Sequence, residues 1–331
     1  MVEIRDISSH VAAIRLPLPL AGLTSVNCYV VRGREKTILV DPGWSSPETR
    51  SALSEALDQL HLAPSDIDTI LVTHHHWDHY TEAITWRSTH GTPVLLGRGD
   101  APSIAAWRTL DGAFPRQVDL LARAGAVDLS REIAAIPVEP HERAMDFEMP
   151  TAWIDDGDEL DLGGLTVRSI ATPGHTRGHM CFEIVEERLL LTGDHVLPRI
   201  TPSIAYEREP DRHSLVSYLS SLRLVTDMAE HRMLPAHGDI EGAAAVRAAE
   251  LVEHHDERLA VIVDLISAGR STPHDVATAM RWTRRQKALD DLEPIHKMTA
   301  VLEAAAHLVV LERDGVVSVE NQDGIDRYRV A

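Results

Sequence analysis

Cysteine and long apolar runs are scarce in this chain, and both features limit the cellular compartments in which the protein is expected to function. The 331 residues include two cysteines, Cys28 and Cys181, whose apolar, strand-like surroundings predict buried free thiols. So few cysteines fit a reducing cytoplasm better than an oxidising compartment. No apolar stretch is long enough to span a bilayer, and the early acids Glu3 and Asp6 are not typical of a signal peptide. We therefore expect a cytoplasmic protein without a membrane partner.

Positive charge is also in short supply. The sequence has 32 lysines and arginines against 51 aspartates and glutamates, which gives a formal net charge of -19. This acidic balance disfavours the phosphate backbone of nucleic acids as a partner. One basic run that contains an aromatic residue, at 281–287, is interpreted as the solvated end of a helix. A small molecule is therefore the expected partner, and nucleic acid is disfavoured.

The residues that are present predict a layered arrangement of strands and helices. Strands are expected at 26–31, 36–40 and 68–72, and a helix at 47–60 with Ser46 as its N-cap. Strand, helix and strand in succession are typical of an α/β fold. Active-site residues of such folds commonly lie where the strands end.

A histidine-rich cluster follows the strand at 68–72. The segment 73–79 has the spacing H-x-H-x-D-H, and more histidines and an aspartate follow strand-like runs or turns later in the chain. Imidazole and carboxylate suit zinc and its first-row neighbours. Inside the cluster, His75 alternates away from its neighbours and is predicted to lie beside the ligands or in solvent. Four separate segments together predict a two-metal hydrolytic centre of seven side chains, namely His74, His76, Asp78, His79, His175, Asp194 and His237.

Residues 98–150 interrupt the alternation with apolar residues at helical spacing, among them Trp107 and Phe114. This segment is predicted to be a helical insert. Its apolar residues either pack the insert onto the body of the protein or form a cap that walls a substrate pocket.

The remainder of the chain predicts a second sheet and then a helical region. Hairpins are expected at 159–170, around Gly163–Gly164, and at 180–191. Three helical stripes and a closing hairpin follow, with Thr272 as an N-cap. We expect a hydrolase domain at 1–244, which includes the insert at 98–150, and a winged-helix-like domain at 245–331.

In order and local context, Asp41, the H-x-H-x-D-H cluster, His175, Asp194 and His237 resemble the five motifs of the metallo-β-lactamase superfamily. The resemblance covers about residues 20 to 240, and within the superfamily the chain looks like the glyoxalase II-type hydrolases. It implies a four-layer αββα fold. The C-terminal region resembles the winged-helix extension of one branch, whose members include an endoribonuclease and thioesterase-like enzymes.

The resemblance also implies how the seven side chains share two metal ions. One ion would lie on His74, His76 and His175, and the other on Asp78, His79 and His237, with Asp194 between them. Asp41 matches an aspartate that orients the ligands without binding metal. Two Zn²⁺ ions are expected, with iron or manganese as alternatives, and the catalytic residues would be Asp78 and Asp194.

The function expected from this centre is hydrolysis of an acyl thioester or a related ester or lactone by a hydroxide that bridges the metals. True β-lactamases generally lack a bridging aspartate at the position of Asp194, which argues against antibiotic hydrolysis. Leu197 stands near the place where lactonases have an assisting tyrosine, and Tyr206 comes later, which weakens a specific lactonase interpretation. The alternative is an endoribonuclease acting on single-stranded RNA. The C-terminal region is expected to serve folding, formation of a homodimer or access to the site.

Overall fold

Two facing β-sheets form the centre of the molecule, seen in a computed structural model that describes residues 2–19, 23–138, 145, 147–204 and 206–331. The first sheet has seven strands in chain order, antiparallel from β1 to β4 and parallel from β4 to β7. These strands are β1 (Glu3–Asp6), β2 (Val11–Pro17), β3 (Ser25–Arg32), β4 (Thr37–Val40), β5 (Thr69–Val72), β6 (Val94–Gly97) and β7 (Ala152–Ile154).

The second sheet has five strands in the order β12-β11-β10-β9-β8. Strands β11 and β12 are parallel, and the other neighbours are antiparallel. The expected hairpins at 159–170 and 180–191 are therefore confirmed. The strands are β8 (Glu159–Asp161), β9 (Thr166–Ala171), β10 (Met180–Ile184), β11 (Leu189–Gly193) and β12 (Arg232–Pro235).

Alternation of side chains along the strands places each sheet between two cores. In β5, Leu71 packs against the second sheet, whereas Ile70 and Val72 join the core beneath the outer helices. In β11, Leu191 faces the first sheet and Leu190 faces outwards. Because both sheets are apolar on both faces, each needs a helical layer outside it.

The outer layers complete the four-layer αββα arrangement that the resemblance implied. Helices α1 (Pro47–Gln59) and α2 (Trp77–His90) cover the first sheet, and α6 (Ser214–Thr226) and α7 (Ala244–Ser267) cover the second. The predicted N-cap of α1 is confirmed, because Ser46 Oγ accepts a hydrogen bond from the backbone N–H of Thr49 at 3.0 Å. The part of the chain described contains no helix long and apolar enough to cross a bilayer.

The insert and the C-terminal region share a hydrophobic core. The insert contains α3 (Ala101–Thr109), α4 (Pro115–Arg123) and α5 (Val127–Ala134), as its helical spacing predicted. Leu121 of α4 and Ile133 of α5 pack into the same core as Leu308 of the C-terminal region. The C-terminal region comprises α7, α8 (Pro273–Ala279), α9 (Pro294–Arg313), β13 (Val317–Gln322) and β14 (Ile325–Val330). The division into domains at residue 244 stays a prediction, because the insert contacts both parts.

The interpretation of 281–287 as a helix end is wrong. Helix α8 stops at Ala279, and the basic run forms a tight turn closed by an isolated bridge between Trp282 and Lys287. The indole of Trp282 is buried, donates a hydrogen bond to the carbonyl of Ala277 at 2.8 Å, and lies beneath the guanidinium of Arg258. Burial of this side chain replaces the helix with a loop, and the charged residues around it remain exposed.

Candidate metal centre

The ends of four strands bring the predicted ligand segments to one edge of the paired sheets. The loop after β5 carries His74 and His76, and α2 begins at Trp77, so Asp78 and His79 lie in its first turn. The other three segments follow β9, β11 and β12, and they carry His175, Asp194 and His237. Parallel strands that end at the same edge place their tips together, which is why residues far apart in the sequence meet here.

Three imidazoles converge on one position. Nδ1 of His76 lies 3.0 Å from Nε2 of His74 and 3.0 Å from Nε2 of His175. Three nitrogens at the corners of a tetrahedral zinc site would be roughly 3.3 Å apart. The spacing of the three rings therefore fits a cation held between them.

A second group of side chains lies beside the first. Oδ2 of Asp78 is 3.6 Å from Nε2 of His79 and 3.3 Å from Nε2 of His237. The three ligand atoms lie within 4.8 Å of one another, and all three residues are buried. This group also has the composition and spacing of a metal site, with one carboxylate and two imidazoles.

The carboxylate of Asp194 lies between the two groups, and its two oxygens face different sides. Oδ1 is 3.4 Å from Nε2 of His237 and 3.9 Å from Nε2 of His79, whereas Oδ2 is 3.5 Å from Nε2 of His175. A carboxylate in this place can contact a cation in each position with one oxygen. All seven predicted side chains are thus brought together, in the two groups expected.

Four of the five ring nitrogens that point away from the two positions have hydrogen-bond partners, and the fifth, Nε2 of His76, is buried without one in the part of the chain that the structure describes. Nδ1 of His175 lies 2.8 Å from the carbonyl oxygen of Ser203, and Nδ1 of His237 lies 2.9 Å from that of Ser25. Asp41 accepts from the backbone N–H of Thr73 at 2.8 Å and lies 3.0 Å from Nδ1 of His79. Such contacts set the tautomer and the orientation of these four imidazoles, which is how metal-binding histidines are usually supported.

The buried polar atoms that remain unpaired test whether a cation fits. Among the described residues, Nε2 of His79, Nε2 of His237 and Oδ1 of Asp194 are buried without a hydrogen-bond partner, and all three converge on the second position. Buried polar atoms without partners are costly, and a metal ion would satisfy them together. Burial opposes a charge on His79, but the carboxylates of Asp78 and Asp41 outweigh it and raise its pKa to about 10. The field at this position therefore favours positive charge.

Three residues outside the predicted set support the centre. His179, to which the sequence assigned no role, accepts a hydrogen bond at Nε2 from the backbone N–H of Asp194 at 3.2 Å. His75 is buried beside the ligands, which is one of the two predicted places, and its backbone N–H donates to Asp100. A single histidine or aspartate between motifs has no periodic signature, although the proximity of His179 to His175 in the sequence was a signal that could have been used.

A cavity of about 70 Å³ opens beside the first group. Aromatic rings form part of its walls, and Gln117 and Arg208 also line it. Trp107 stacks on Phe147 with ring centroids 4.1 Å apart, and Phe114 meets Tyr206 edge to face at 5.8 Å. The ring of Tyr206 lies 6.2 Å from that of His76, so the cavity adjoins the metal centre. Trp107 and Phe114 belong to the insert, which therefore contributes to these walls.

Comparisons with known proteins agree with this geometry. The family model of the metallo-beta-lactamase superfamily matches residues 21–237. An uncharacterized protein of Mycobacterium tuberculosis (strain ATCC 25618 / H37Rv) is 30% identical in an alignment of 237 residues that covers 69% of this chain and 92% of the relative. The beta-lactamase-like protein 2 homolog of Caenorhabditis elegans is 26% identical over 295 residues, covering 89% of this chain and 81% of the relative.

Two crystal structures resemble nearly the whole chain. A beta-lactamase domain protein from Burkholderia ambifaria has a TM-score of 0.79 at 25% identity and covers 99% of this chain and 94% of its own. A metallo-beta-lactamase family protein from Thermus thermophilus has a TM-score of 0.75 at 26% identity, with coverages of 98% and 100%. The structural likeness therefore includes the C-terminal helices and hairpin.

Proposed function

The chain belongs to the metallo-beta-lactamase superfamily of metal-dependent hydrolases, and on this basis we propose that it hydrolyses an acyl thioester or a related ester or lactone at a two-metal centre. The observation that supports the proposal best is the position of Asp194, whose two oxygens face the two groups of ligands. A single-metal site would not need a carboxylate in that place. A binding protein that had lost its chemistry would be expected to lack one of the seven side chains.

In the proposed centre, His74, His76 and His175 would hold one ion and Asp78, His79 and His237 would hold the other, with Asp194 shared between the two groups. Two divalent cations in such a site polarise a carbonyl group and activate water for attack on it. Asp41 and the carbonyls of Ser25 and Ser203 keep the imidazoles in the required tautomers. The carboxylate of Asp78, or a water molecule, would return the proton to the leaving group. Zn²⁺ is the proposed ion, because the ligands are imidazoles and carboxylates.

The walls of the cavity support an acyl substrate. Trp107, Phe114, Phe147 and Tyr206 offer apolar surface next to His76, where the acyl part of a thioester or ester could lie during attack. The order of the C-terminal elements, three helices followed by a hairpin, supports a winged-helix-like extension of the glyoxalase II-type group. This region would serve folding, dimerisation or access to the site.

Purified protein reconstituted with zinc is expected to hold close to two metal ions per chain, since the side chains for both positions are present and converge. Elemental analysis of the dialysed protein measures the ratio. A ratio of one or less, in protein with the circular dichroism of a folded chain, would contradict the two-metal centre.

Polar substitutions in the wall of the cavity are expected to change substrate choice before they change metal content. Trp107→Gln and Phe114→Gln should shift the relative kcat/KM for short and long acyl groups by about 10-fold, the scale on which apolar pockets discriminate. Both variants should keep two metal ions, since neither residue is among the proposed ligands.

Val127→Ser, at an exposed insert residue that does not line this cavity, is the matched control. Wild-type selectivity in all three variants across a series of acyl chain lengths would mean that the insert has only a structural role.

Binding to single-stranded RNA is expected to be weak and nearly independent of the exposed arginines at 284 and 285, because they lie in an acidic protein. The measurement compares wild-type protein with Arg284→Glu/Arg285→Glu at low and at physiological salt. Tight, salt-sensitive binding that disappears in the double variant would favour the endoribonuclease alternative.

A further inference from the structure

A pair of buried acids lies behind the metal centre. Asp100 is fully buried, Glu207 is 2% exposed, and both have an oxygen within 4.8 Å of a ring nitrogen of His75. Asp100 lies at the start of the insert, directly before α3, and Glu207 lies in the segment between β11 and α6. Neither residue belongs to the proposed ligand set. Two buried carboxylates in one place call for a physical reason, because burial without partners is costly.

The two oxygens of Asp100 bind two different loops. Oδ2 accepts from the backbone N–H of His75 at 2.8 Å and lies 3.1 Å from Nδ1 of the same residue. Oδ1 accepts from the backbone N–H of Gly178 at 2.7 Å. His75 stands between His74 and His76, and Gly178 is three residues after His175. One carboxylate therefore joins the two loops that carry all three imidazoles of the first position.

Glycines let these segments approach backbone to backbone. A Cβ atom at Gly178 would lie 2.3 Å from the backbone nitrogen of Asp100, and one at Gly97 would lie 1.9 Å from the carbonyl oxygen of Gly178. A Cβ atom at Gly99 would lie 2.4 Å from the carbonyl oxygen of Arg177. No side chain can separate the turn at 97–100 from the loop after His175 without moving one of them. The hydrogen bond between Asp100 and Gly178 is thus part of a close contact.

We propose that Asp100 is a positioning residue that sets the distance between His175 and the pair His74 and His76, and thereby the metal affinity of the first position. The inference rests on the proposed two-metal centre. Asp41 has the corresponding place in the second position, where it joins Thr73 to His79. Each position would then have its own buried carboxylate behind it.

The variant Asp100→Asn tests this, because it changes hydrogen bonding with little change in size. A carboxylate accepts with both oxygens, whereas a carboxamide has one oxygen and one NH₂ group. Either His75 or Gly178 would then face a donor, and the two loops would be held less closely. Supporting residues of this kind typically change metal affinity by about 10- to 100-fold.

Glu207→Gln is the matched control in the same cluster. The hydrogen bonds that Glu207 accepts from the backbone N–H of Arg177 at 3.0 Å and from Ser103 Oγ at 3.3 Å both end on Oε1. A carboxamide can keep that oxygen in place, so both metal ions should bind as in wild type. Asp41→Asn is the reciprocal control, and it should weaken the second position more than the first, because Asp41 contacts His79 directly and reaches His74 only through Thr73.

The experiment is a titration of metal-free protein with Co²⁺ in the presence of a competing chelator, followed by the visible spectrum of the bound ion. Asp100→Asn should lose about 10- to 100-fold in affinity for one of the two equivalents and keep the other. Asp41→Asn should lose the other equivalent, with a different spectral change, because the two positions differ in their imidazole and carboxylate ligands. Thermal unfolding of each metal-free variant checks the fold.

Wild-type affinity for both equivalents in Asp100→Asn would overturn the inference and leave the proposed function standing. Equal weakening of both equivalents at unchanged thermal stability would also overturn it. Wild-type protein that binds fewer than two ions would overturn the two-metal centre together with this inference.

Hydrogen exchange on wild-type protein is a second test, and it holds even if Asp100→Asn does not fold. If Asp100 is linked to the first position, filling that position must strengthen the hydrogen bonds to Asp100. The backbone amides of His75 and Gly178 should therefore both become more protected from hydrogen exchange when the equivalent of Co²⁺ that fills the first position is added. Unchanged protection of both amides would contradict the link.

Discussion

Replacement of Asp194 by alanine is expected to reduce turnover by more than 100-fold while the protein stays folded. A change in a residue that only supports a ligand costs about 10- to 100-fold, and Asp194 is proposed to contact both ions directly. Its two oxygens lie 3.4 Å from His237 and 3.5 Å from His175, so alanine would leave both positions one ligand short. The hydrogen bond from the Asp194 backbone N–H to Nε2 of His179 does not involve the carboxylate of Asp194, so it should keep the loop after β11 in place in the variant.

The measurement is kcat for a thioester substrate of the metal-loaded enzyme, with circular dichroism and metal content determined on the same preparation. Asp239→Ala is the control, because Asp239 is an acid two residues after His237 that pairs with Arg199 at the surface. This control should keep wild-type activity within a few-fold. Retention of more than roughly a tenth of the activity in Asp194→Ala would mean that Asp194 does not bridge the two ions.

A pair of buried histidines outside the metal centre is expected to make the stability of the fold sensitive to acid. Nδ1 of His255 in α7 lies 3.0 Å from Nε2 of His307 in α9, and Nδ1 of His307 lies 2.7 Å from the carbonyl oxygen of Glu303. Burial favours the neutral form of both rings, and in that form His307 donates to the carbonyl of Glu303 and accepts from His255. Both side chains are fully buried, and burial lowers the pKa of each below its ordinary value of 6.5.

The direction of the effect follows from which state binds the protons. Below pH 6.5 the unfolded chain takes up protons on both residues that the folded chain does not, so the free energy of unfolding falls as the pH falls. Each imidazole contributes a slope of up to about 1.4 kcal/mol per pH unit, or about 2.7 kcal/mol for the pair. Above pH 6.5 both states are neutral at these residues, and this dependence disappears.

Urea unfolding of wild type and of His255→Leu/His307→Leu between pH 4.5 and 7.5 tests the prediction. Replacing both residues removes the buried imidazoles together and leaves no unpaired partner. The double variant should have a slope that is smaller by up to about 2.7 kcal/mol per pH unit below pH 6.5, whatever its stability at neutral pH. The slope that remains comes from other buried groups such as His179 and His195, whose pKa burial also lowers. His296→Gln, at an exposed position of the same helix, is the control and should keep the wild-type slope. Identical slopes in all three proteins would show that the pair does not govern acid stability.

The local parts of the fold could be predicted from the sequence because their causes lie within a few residues. Ser46 before Pro47 defined the start of α1, and Thr272 before Pro273 defined that of α8, since an N-cap and a proline at the first position act within one turn. Alternating apolar residues indicated the strands. The H-x-H-x-D-H spacing placed ligands at the end of β5, because a strand followed by a helix brings these side chains to one edge.

The contacts that required the folded structure join segments far apart in the chain. Leu121 of the insert shares a core with Leu308. The amphipathic pattern of a helix indicates which face is buried but not which residues cover that face, so this contact could not be predicted from the sequence. The basic run at 281–287 forms a loop instead of a helix end, because the indole of Trp282 is buried beneath the guanidinium of Arg258.

Asp100 and Glu207 have no motif or period around them, so the amino-acid sequence was enough to predict which seven side chains converge but not the acids behind them. A carboxylate becomes a structural link only where folding brings backbone N–H groups from two loops to its two oxygens, as His75 and Gly178 are brought to Asp100. The free-energy cost of burying the carboxylate is offset only when backbone N–H groups from other loops donate hydrogen bonds to it. Hydrogen bonds of this kind therefore depend on the positions of whole strands.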